Sequence, residues 1–108
     1  MIPSHATHPG VLIADEIEYR EIMQKHLAEK MDIAANMLSE IIHGKRNITP
    51  ATAMKLEKAL DIDAVYWMRL QVKYEIDCIL IKHREEIKKT HLTKKQKRNF
   101  SDRALQYA

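Results

Sequence analysis

Residues 24 to 44 constrain the fold more than any other part of the sequence, because two short apolar stripes meet there around a brief interruption. The first stripe ends at Met31, the pair Asp32-Ile33 interrupts it, and the second stripe runs from residue 38 to residue 42 on another axis. Gly44 follows, and glycine most readily takes the left-handed conformation found just past a helix end. The pattern predicts two short helices joined by a tight turn.

The residue types within this stretch match a helix-turn-helix. Two short helices that cross at a steep angle need a small residue at their closest approach and apolar residues in the angle between them. Ala28 has the size for the close approach. Ile33, Leu38 and Ile41 can fill the angle. The sequence therefore predicts a helix-turn-helix whose second helix begins near Ala34 and ends near Ile42.

The rest of the chain also shows helical spacing. With only 2 Gly and 3 Pro in 108 residues, the composition favours helices over a many-stranded fold, so we expect an all-α protein. Pro3 and Pro9 indicate an extended arm over residues 1–9. A first helix is predicted from Val11, with an apolar stripe that reaches Ile22.

Two further helices have clear start signals. Thr49-Pro50 combines a capping hydroxyl with a proline at the first helical position, which predicts a helix to about Leu60. Asp63 is predicted to cap a last helix whose apolar period continues to Ile87. We therefore expect a helix-turn-helix domain over residues 10–77 and a C-terminal helical extension with a basic tail over residues 78–108.

A helix-turn-helix places its second helix in the major groove, where the first residues and those one turn later face the bases. Asparagine can pair with adenine, glutamate can accept from cytosine, and a methyl group can contact thymine. Residues at the start of the first helix and after the second reach the phosphates. The predicted contacts are Ala35, Asn36, Ser39 and Glu40 to bases, and Gln24, Lys45, Arg46 and Asn47 to the backbone.

Several strings in the same order resemble the HigA-type antitoxins, a branch of the phage-repressor-like (XRE) helix-turn-helix family. They are His8-Pro9-Gly10, the unit 24–44, the string from Gly44 to Ala53, Leu56 with Lys58-Ala59-Leu60, and Tyr66 to Gln71. The resemblance covers about residues 8 to 77 and leaves the tail outside.

The resemblance implies a five-helix DNA-binding core, usually a homodimer, that binds a palindromic operator in its own promoter. It also implies a complex with a HigB-type, RelE-like toxin that cleaves messenger RNA. By the same resemblance, the helix that carries Trp67 and Leu70, with Tyr74 after them, is expected to form the dimer. A two-fold dimer doubles the base pairs that one recognition helix contacts.

The sequence departs from the family pattern at four positions. Asp32 stands where glycine is usual, and aspartate tolerates the left-handed turn better than most residues. Met23 and Ala34 replace hydroxyl residues, so two helix N-caps are expected to be missing. Glu40 replaces a polar or basic residue on the side that faces DNA. We expect this carboxylate to weaken DNA binding or make it depend on the tail.

Charge is distributed unevenly. Residues 1–78 carry 9 Lys+Arg against 12 Asp+Glu, a net charge of −3, whereas residues 79–108 carry 9 against 3, a net charge of +6. The basic tail could attract phosphates independently of sequence, or it could be a solvated helix end.

Other function classes receive little support. The six histidines have no Cys or carboxylate partner at metal-ligand spacing, no glycine-rich phosphate loop is present, and the single Cys78 lies in an apolar stretch. We therefore expect no metal, no cofactor and no enzyme. The longest apolar runs are too short to span a membrane, and one cysteine with no apparent leader segment favours the cytoplasm.

Three functions remain open at this point. The first is an antitoxin that also represses its own operon. The second is a toxin-neutralising protein with little DNA binding, which Glu40 and the acidic core favour. The third is a stand-alone repressor of the phage type, with no toxin.

Overall fold

The computed structural model describes the backbone of residues 2–90, and the side chains of residues 2–88, as an all-α structure without strands in that range. The five helices are α1 (Pro9–Tyr19), α2 (Gln24–Met31), α3 (Ala35–Ile42), α4 (Pro50–Leu60) and α5 (Ala64–Thr90). The predicted fold class and helix order are confirmed. The basic stretch from Lys94 onward lies outside the described residues.

The contacts divide the chain into two units. One unit is Thr7–Val72 and contains α1 to α4 with the first part of α5. The other is Met1–Ala6 with Lys73–Ala108, of which residues 2–6 and 73–90 are described. In this second unit, Arg84 Nη1 donates to the Pro3 carbonyl oxygen at 3.1 Å, so the N-terminal segment is tied to the later part of α5.

Helix α1 begins earlier than the sequence analysis predicted. The backbone N–H of Gly10 donates to Nδ1 of His8 at 2.9 Å, so an imidazole takes the capping role that hydroxyl and carboxylate side chains usually fill. Pro9 occupies the first turn, where its missing N–H costs nothing. Assigning Pro9 to the extended arm was therefore wrong.

The same helix ends at Tyr19, before the predicted limit of its apolar stripe. Glu21 takes a left-handed conformation with φ of 57°, and the Ile22 amide donates to the Ile17 carbonyl at 2.9 Å. Ile22 thus lies in the connection to α2, although its side chain still packs against the core.

Gly10 lies where α1 and α3 come closest. A Cβ atom added to Gly10 would overlap the carbonyl oxygen of Ile41 and would lie 2.8 Å from Cα of Ile42. Because these are backbone atoms, they cannot move aside as a flexible side chain could. Glycine at position 10 therefore permits the backbone-to-backbone packing of the first helix on the third.

The predicted starts of α4 and α5 are both confirmed. Thr49 Oγ1 accepts from the Thr52 amide at 3.2 Å, with Pro50 in the first turn. Asp63 Oδ1 accepts from the Val65 amide at 2.7 Å. One apolar core fills the unit Thr7–Val72; its buried side chains include Ile13, Ile17, Leu27, Met31, Leu38, Ile41, Ile48, Ala53, Leu56, Leu60 and Trp67.

Candidate nucleic-acid interface

Helices α2 and α3 are joined by the predicted tight turn. Asp32 is left-handed, with φ of 54° and ψ of 48°, so aspartate does adopt the conformation for which relatives are expected to use glycine. The Ile33 amide donates back to the Ala28 carbonyl at 3.1 Å, which closes the turn. No side-chain hydrogen bond caps the starts of α2 at Met23 or α3 at Ala34, as predicted.

The inner face of α3 packs as the spacing predicted. Ala28 is buried at the contact with α3, Leu38 and Ile41 are fully buried, and Ile33 packs half-buried against the same core. Because these residues hold one side of α3 in the core, the opposite side is free to meet a ligand.

The predicted DNA-contacting residues all retain accessible surface. Ala35 and Asn36 are exposed at the start of α3, while Ser39 and Glu40, one turn later, are partly exposed. Gln24 is the first residue of α2 and is also partly exposed. Lys45, Arg46 and Asn47 are exposed in the loop after α3. The assignment of these residues to DNA stays a prediction.

The loop that carries these cations is held at both ends. At its start, Gly44 has φ of 76°, as predicted, and the Lys45 amide donates to the Glu40 carbonyl at 2.8 Å. At its end, the buried Ile48 amide donates to Oε1 of Gln71 on α5 at 2.9 Å. A loop fixed in this way presents its side chains from a defined position beside α3.

His43 is a candidate contact that the sequence analysis missed. It is exposed at the C-cap of α3, four residues after Ser39 and seven after Asn36, which places it on the same side of the helix. Its Nδ1–H donates to the Ser39 carbonyl at 2.7 Å, which orients the imidazole ring and leaves Nε2 directed away from that carbonyl. Spacing along α3 was the signal that could have identified it.

Glu40 does not stand alone on this face. Its Oε2 lies 3.4 Å from Nη2 of Arg46, and the two side chains are 39% and 47% exposed. Their charges therefore offset each other locally. Glu40 was predicted to contact a base and to weaken DNA binding, and Arg46 was predicted to contact the DNA backbone; the ion pair between them was not predicted.

The residues predicted to form a dimer differ in accessibility. Trp67 is 1% exposed and packs edge-on against Tyr66, with ring centroids 5.4 Å apart, so its side chain belongs to the core of this chain. Leu70 is partly exposed and packs on that core. Tyr74, in the other unit, is partly exposed, and a hydrogen bond with Cys78 raises the pKa of its phenol above the usual value. Dimer formation itself stays a prediction.

An apolar groove lies between α4 and the first part of α5. Its lining is apolar apart from one residue: Pro50, Met54, Val65 and Val72 are exposed, and Ala53, Ala64 and Met68 are buried or partly buried. Arg69 is the charged residue at its edge. In the sequence, this surface cannot be told from the core, because both show apolar residues at helical spacing.

Residues 2–90 contain neither a metal-binding cluster nor a membrane-spanning helix. No group of His, Cys, Asp and Glu side chains in this range could hold a metal ion. No helix in the described part of the chain is long and apolar enough to cross a membrane.

The chain is similar to known proteins in sequence and in fold. The profile of a family described as "Helix-turn-helix" matches residues 18–67, which include α2, α3 and α4. Virulence-associated protein A' of Dichelobacter nodosus is 40% identical over 70 residues. That match covers 64% of this chain and 61% of the relative, so it leaves more than a third of the relative unmatched.

Two solved structures are also similar. An addiction module antidote protein of a HigA family from Coxiella burnetii is 31% identical, with a TM-score of 0.71 over 82% of this chain and 97% of that one. The antitoxin HigA of Pseudomonas aeruginosa, solved with the higBA promoter, is 26% identical, with a TM-score of 0.70 over 77% of this chain and 91% of that one.

Proposed function

The chain belongs to the HigA-type branch of the helix-turn-helix family, and from this premise we propose that it is an antitoxin that binds operator DNA and represses its own operon. The observation that carries the DNA-binding part is the exposed flank of α3 beside an anchored cationic loop. Asn36 and Ser39 offer hydrogen-bonding groups at the spacing of one helical turn, and the loop places Lys45 nearby.

The resemblance to a promoter complex supports the same proposal. The antitoxin HigA of Pseudomonas aeruginosa was solved with the higBA promoter, and its fold matches 77% of this chain. In the proposed complex, α3 enters the major groove, Asn36 contacts a base edge, and Gln24 at the start of α2 contacts a phosphate.

A homodimer is part of the proposal, because one short recognition helix reads only a few base pairs. A second copy is the occupant we propose for the apolar groove between α4 and α5. Two-fold pairing through one patch on each copy is the common arrangement for proteins that bind palindromes. The groove carries Val65 and Met54, more than half exposed, in a region with a single charged edge residue.

The proposed toxin is a HigB-type, RelE-like enzyme that cleaves messenger RNA. Support comes from family membership and from the Coxiella burnetii relative, which is an addiction module antidote protein. The toxin would bind a surface other than the outer flank of α3, so that one chain could contact DNA and toxin together.

An electrophoretic mobility shift tests the DNA-binding part. The labelled probe is a duplex taken from directly upstream of the chain's own reading frame, and a shuffled duplex of equal length and composition is the control. We expect tighter binding to the upstream duplex, with an affinity that falls as salt rises. Equal affinity for both duplexes would contradict the proposal.

Co-expression tests the toxin-binding part. An adjacent reading frame of a RelE-like protein should stop growth when expressed alone, and this chain should restore growth and co-purify with it. If the adjacent frame is harmless, a stand-alone repressor becomes the better description.

The net charge of −3 over residues 1–78 favours a second candidate, a toxin-neutralising protein with little DNA binding. Restored growth without a mobility shift would identify that function.

A further inference from the structure

Glu40 and Arg46 form one ion pair on the proposed DNA-binding face, and we propose that this pair is a specificity element. In it, Glu40 holds Arg46 away from DNA phosphates unless the carboxylate meets the amino group of a cytosine in the major groove. The inference rests on the proposed function and adds a rule for how the protein rejects other DNA.

The chain geometry brings the two side chains together. Glu40 lies in the last part of α3, and Arg46 lies six residues later in the loop, with Oε2 and Nη2 3.4 Å apart. The Lys45 amide donates to the Glu40 carbonyl at 2.8 Å, and Gly44 supplies the left-handed residue that turns the chain back over the helix end. The loop thus begins directly beside Glu40.

The pair is suited to exchange partners. Both side chains are well exposed, and the separation is long for a charge-assisted hydrogen bond, so the pair contributes little to folding stability. Opening it therefore costs little in the free protein, whereas beside DNA it leaves the Glu40 carboxylate uncompensated near phosphates unless that carboxylate finds a hydrogen-bond donor. Opening also places a free cation and a free acceptor on the same side of α3.

The chemistry of DNA determines which partner each group can take. A carboxylate is repelled by phosphates, but it can accept a hydrogen bond from N4–H2 of cytosine. Where a cytosine faces Glu40, the carboxylate binds it and Arg46 is released to a neighbouring phosphate. Where none does, Glu40 keeps Arg46, and the complex has one phosphate contact fewer. Specificity then comes partly from weakened binding to the wrong sequence.

The salt dependence of the affinity for DNA that lacks cytosine measures whether Arg46 stays paired with Glu40 in the complex. The probe is an alternating A·T duplex, and the proteins are the wild type, Glu40→Gln, Arg46→Ala and the double variant. Glu40→Gln should bind this duplex more tightly and steepen the slope of log affinity against log salt by about 0.9, the value of one added phosphate contact. In the Arg46→Ala background, the same change should leave the slope unaltered.

A matched control is present on α1. Glu16 and Arg20 form another ion pair, at 2.8 Å with exposures of 31% and 32%, at the C-terminal end of α1, whereas Gly10 contacts α3 near the start of α1. Glu16→Gln removes the same charge and frees an arginine, but it should leave the slope unchanged. An unchanged slope in Glu40→Gln, or an equal steepening with and without Arg46, would overturn the inference.

Base replacement in the upstream duplex tests whether Glu40 recognises a cytosine. Changing each C·G pair to T·A should reveal at least one position that costs the wild type about tenfold or more in affinity and costs Glu40→Ala little. If the wild type prefers the upstream duplex over the shuffled one but both proteins respond alike at every position, the inference fails and the proposed function stands. If the wild type shows no preference at all, both fail.

Discussion

The backbone N–H of Ile48 donates to Oε1 of Gln71 at 2.9 Å, across 23 residues of sequence and inside the core. This one hydrogen bond ties the end of the loop after α3 to helix α5. It therefore links the stability of the fold to the position of Lys45, Arg46 and Asn47.

Replacing Gln71 with leucine should destabilise the protein by about 1–3 kcal/mol, because the buried Ile48 amide would lose its acceptor. The free energy of unfolding in urea measures the change. DNA affinity should also fall, since the loop would no longer be held beside α3. Glu75→Leu, the same kind of change at an exposed position of α5 outside the groove, is the control and should change stability far less. Equal effects of the two variants would show that the hydrogen bond does not hold the loop.

The two glycines should respond differently to alanine. Gly10→Ala should be severely destabilising, by more than about 2 kcal/mol, because the new methyl group overlaps the backbone of α3. Gly44→Ala has room for the methyl group, with the nearest atoms of His8 at 3.7 Å, and should cost about 1–2 kcal/mol from its positive φ alone. The thermal unfolding temperatures of the two variants show which substitution destabilises the protein more. A smaller loss at Gly10 would contradict the close packing of α1 on α3.

Asn36 and Arg46 should affect DNA binding in different ways. Asn36→Ala should cost about 1–3 kcal/mol of binding free energy on the operator and relax the preference at one base pair. Arg46→Ala should weaken binding similarly for all operator variants that keep the cytosine facing Glu40, and it should flatten the salt dependence of binding. Titrations against a set of single-base operator variants separate the two.

Lys58→Ala is the control for lost positive charge, because Lys58 is exposed on α4 away from the candidate interface. If Asn36→Ala and Arg46→Ala both bind as the wild type does, the outer flank of α3 is not the DNA-binding surface.

Val65→Glu should dissociate the proposed homodimer, because it places a charge in the apolar groove that we assign to a second copy. Val65 is 55% exposed in the single chain, so the fold should tolerate the change. Sedimentation velocity gives the mass of each species, and circular dichroism confirms that the helices remain. Tyr19→Glu, at an exposed position on α1, is the control. A dimer that survives Val65→Glu would place the interface elsewhere.

Local signals in the sequence were sufficient for much of the fold. The turn at Asp32 and the caps at Thr49 and Asp63 each depend on residues within three or four positions, and all three were predicted. The start of α1 was missed because Pro9 and Gly10 are residue types that usually break helices, and the sequence does not show which residues they contact in the fold. His8 caps the helix. Position 10 has to be glycine because the backbone of Ile41, 31 residues later, leaves no room for a Cβ atom.

The candidate interface was predictable in outline but not in its contacts. The exposed positions of Asn36 and Arg46 follow from helical spacing and the loop, whereas the ion pair between Arg46 and Glu40 depends on the path of the chain after α3. Trp67 shows a second limit of what an apolar pattern in the sequence can predict. An apolar residue on a helix gives the same pattern whether it packs in its own core or against a second chain, and the structure places Trp67 in its own core.

The close approach of Gly10 to α3 restricts the position of that helix but not the identity of its exposed side chains. The C-terminal end of α3 lies directly against the backbone of α1 at Gly10, so that end cannot move closer to α1, and we expect a change in the preferred operator to come from exchanged side chains. A library that randomises Asn36, Ser39 and His43 should therefore yield many folded proteins with altered base preference, and a duplicated gene could diverge in its target without first rebuilding its scaffold.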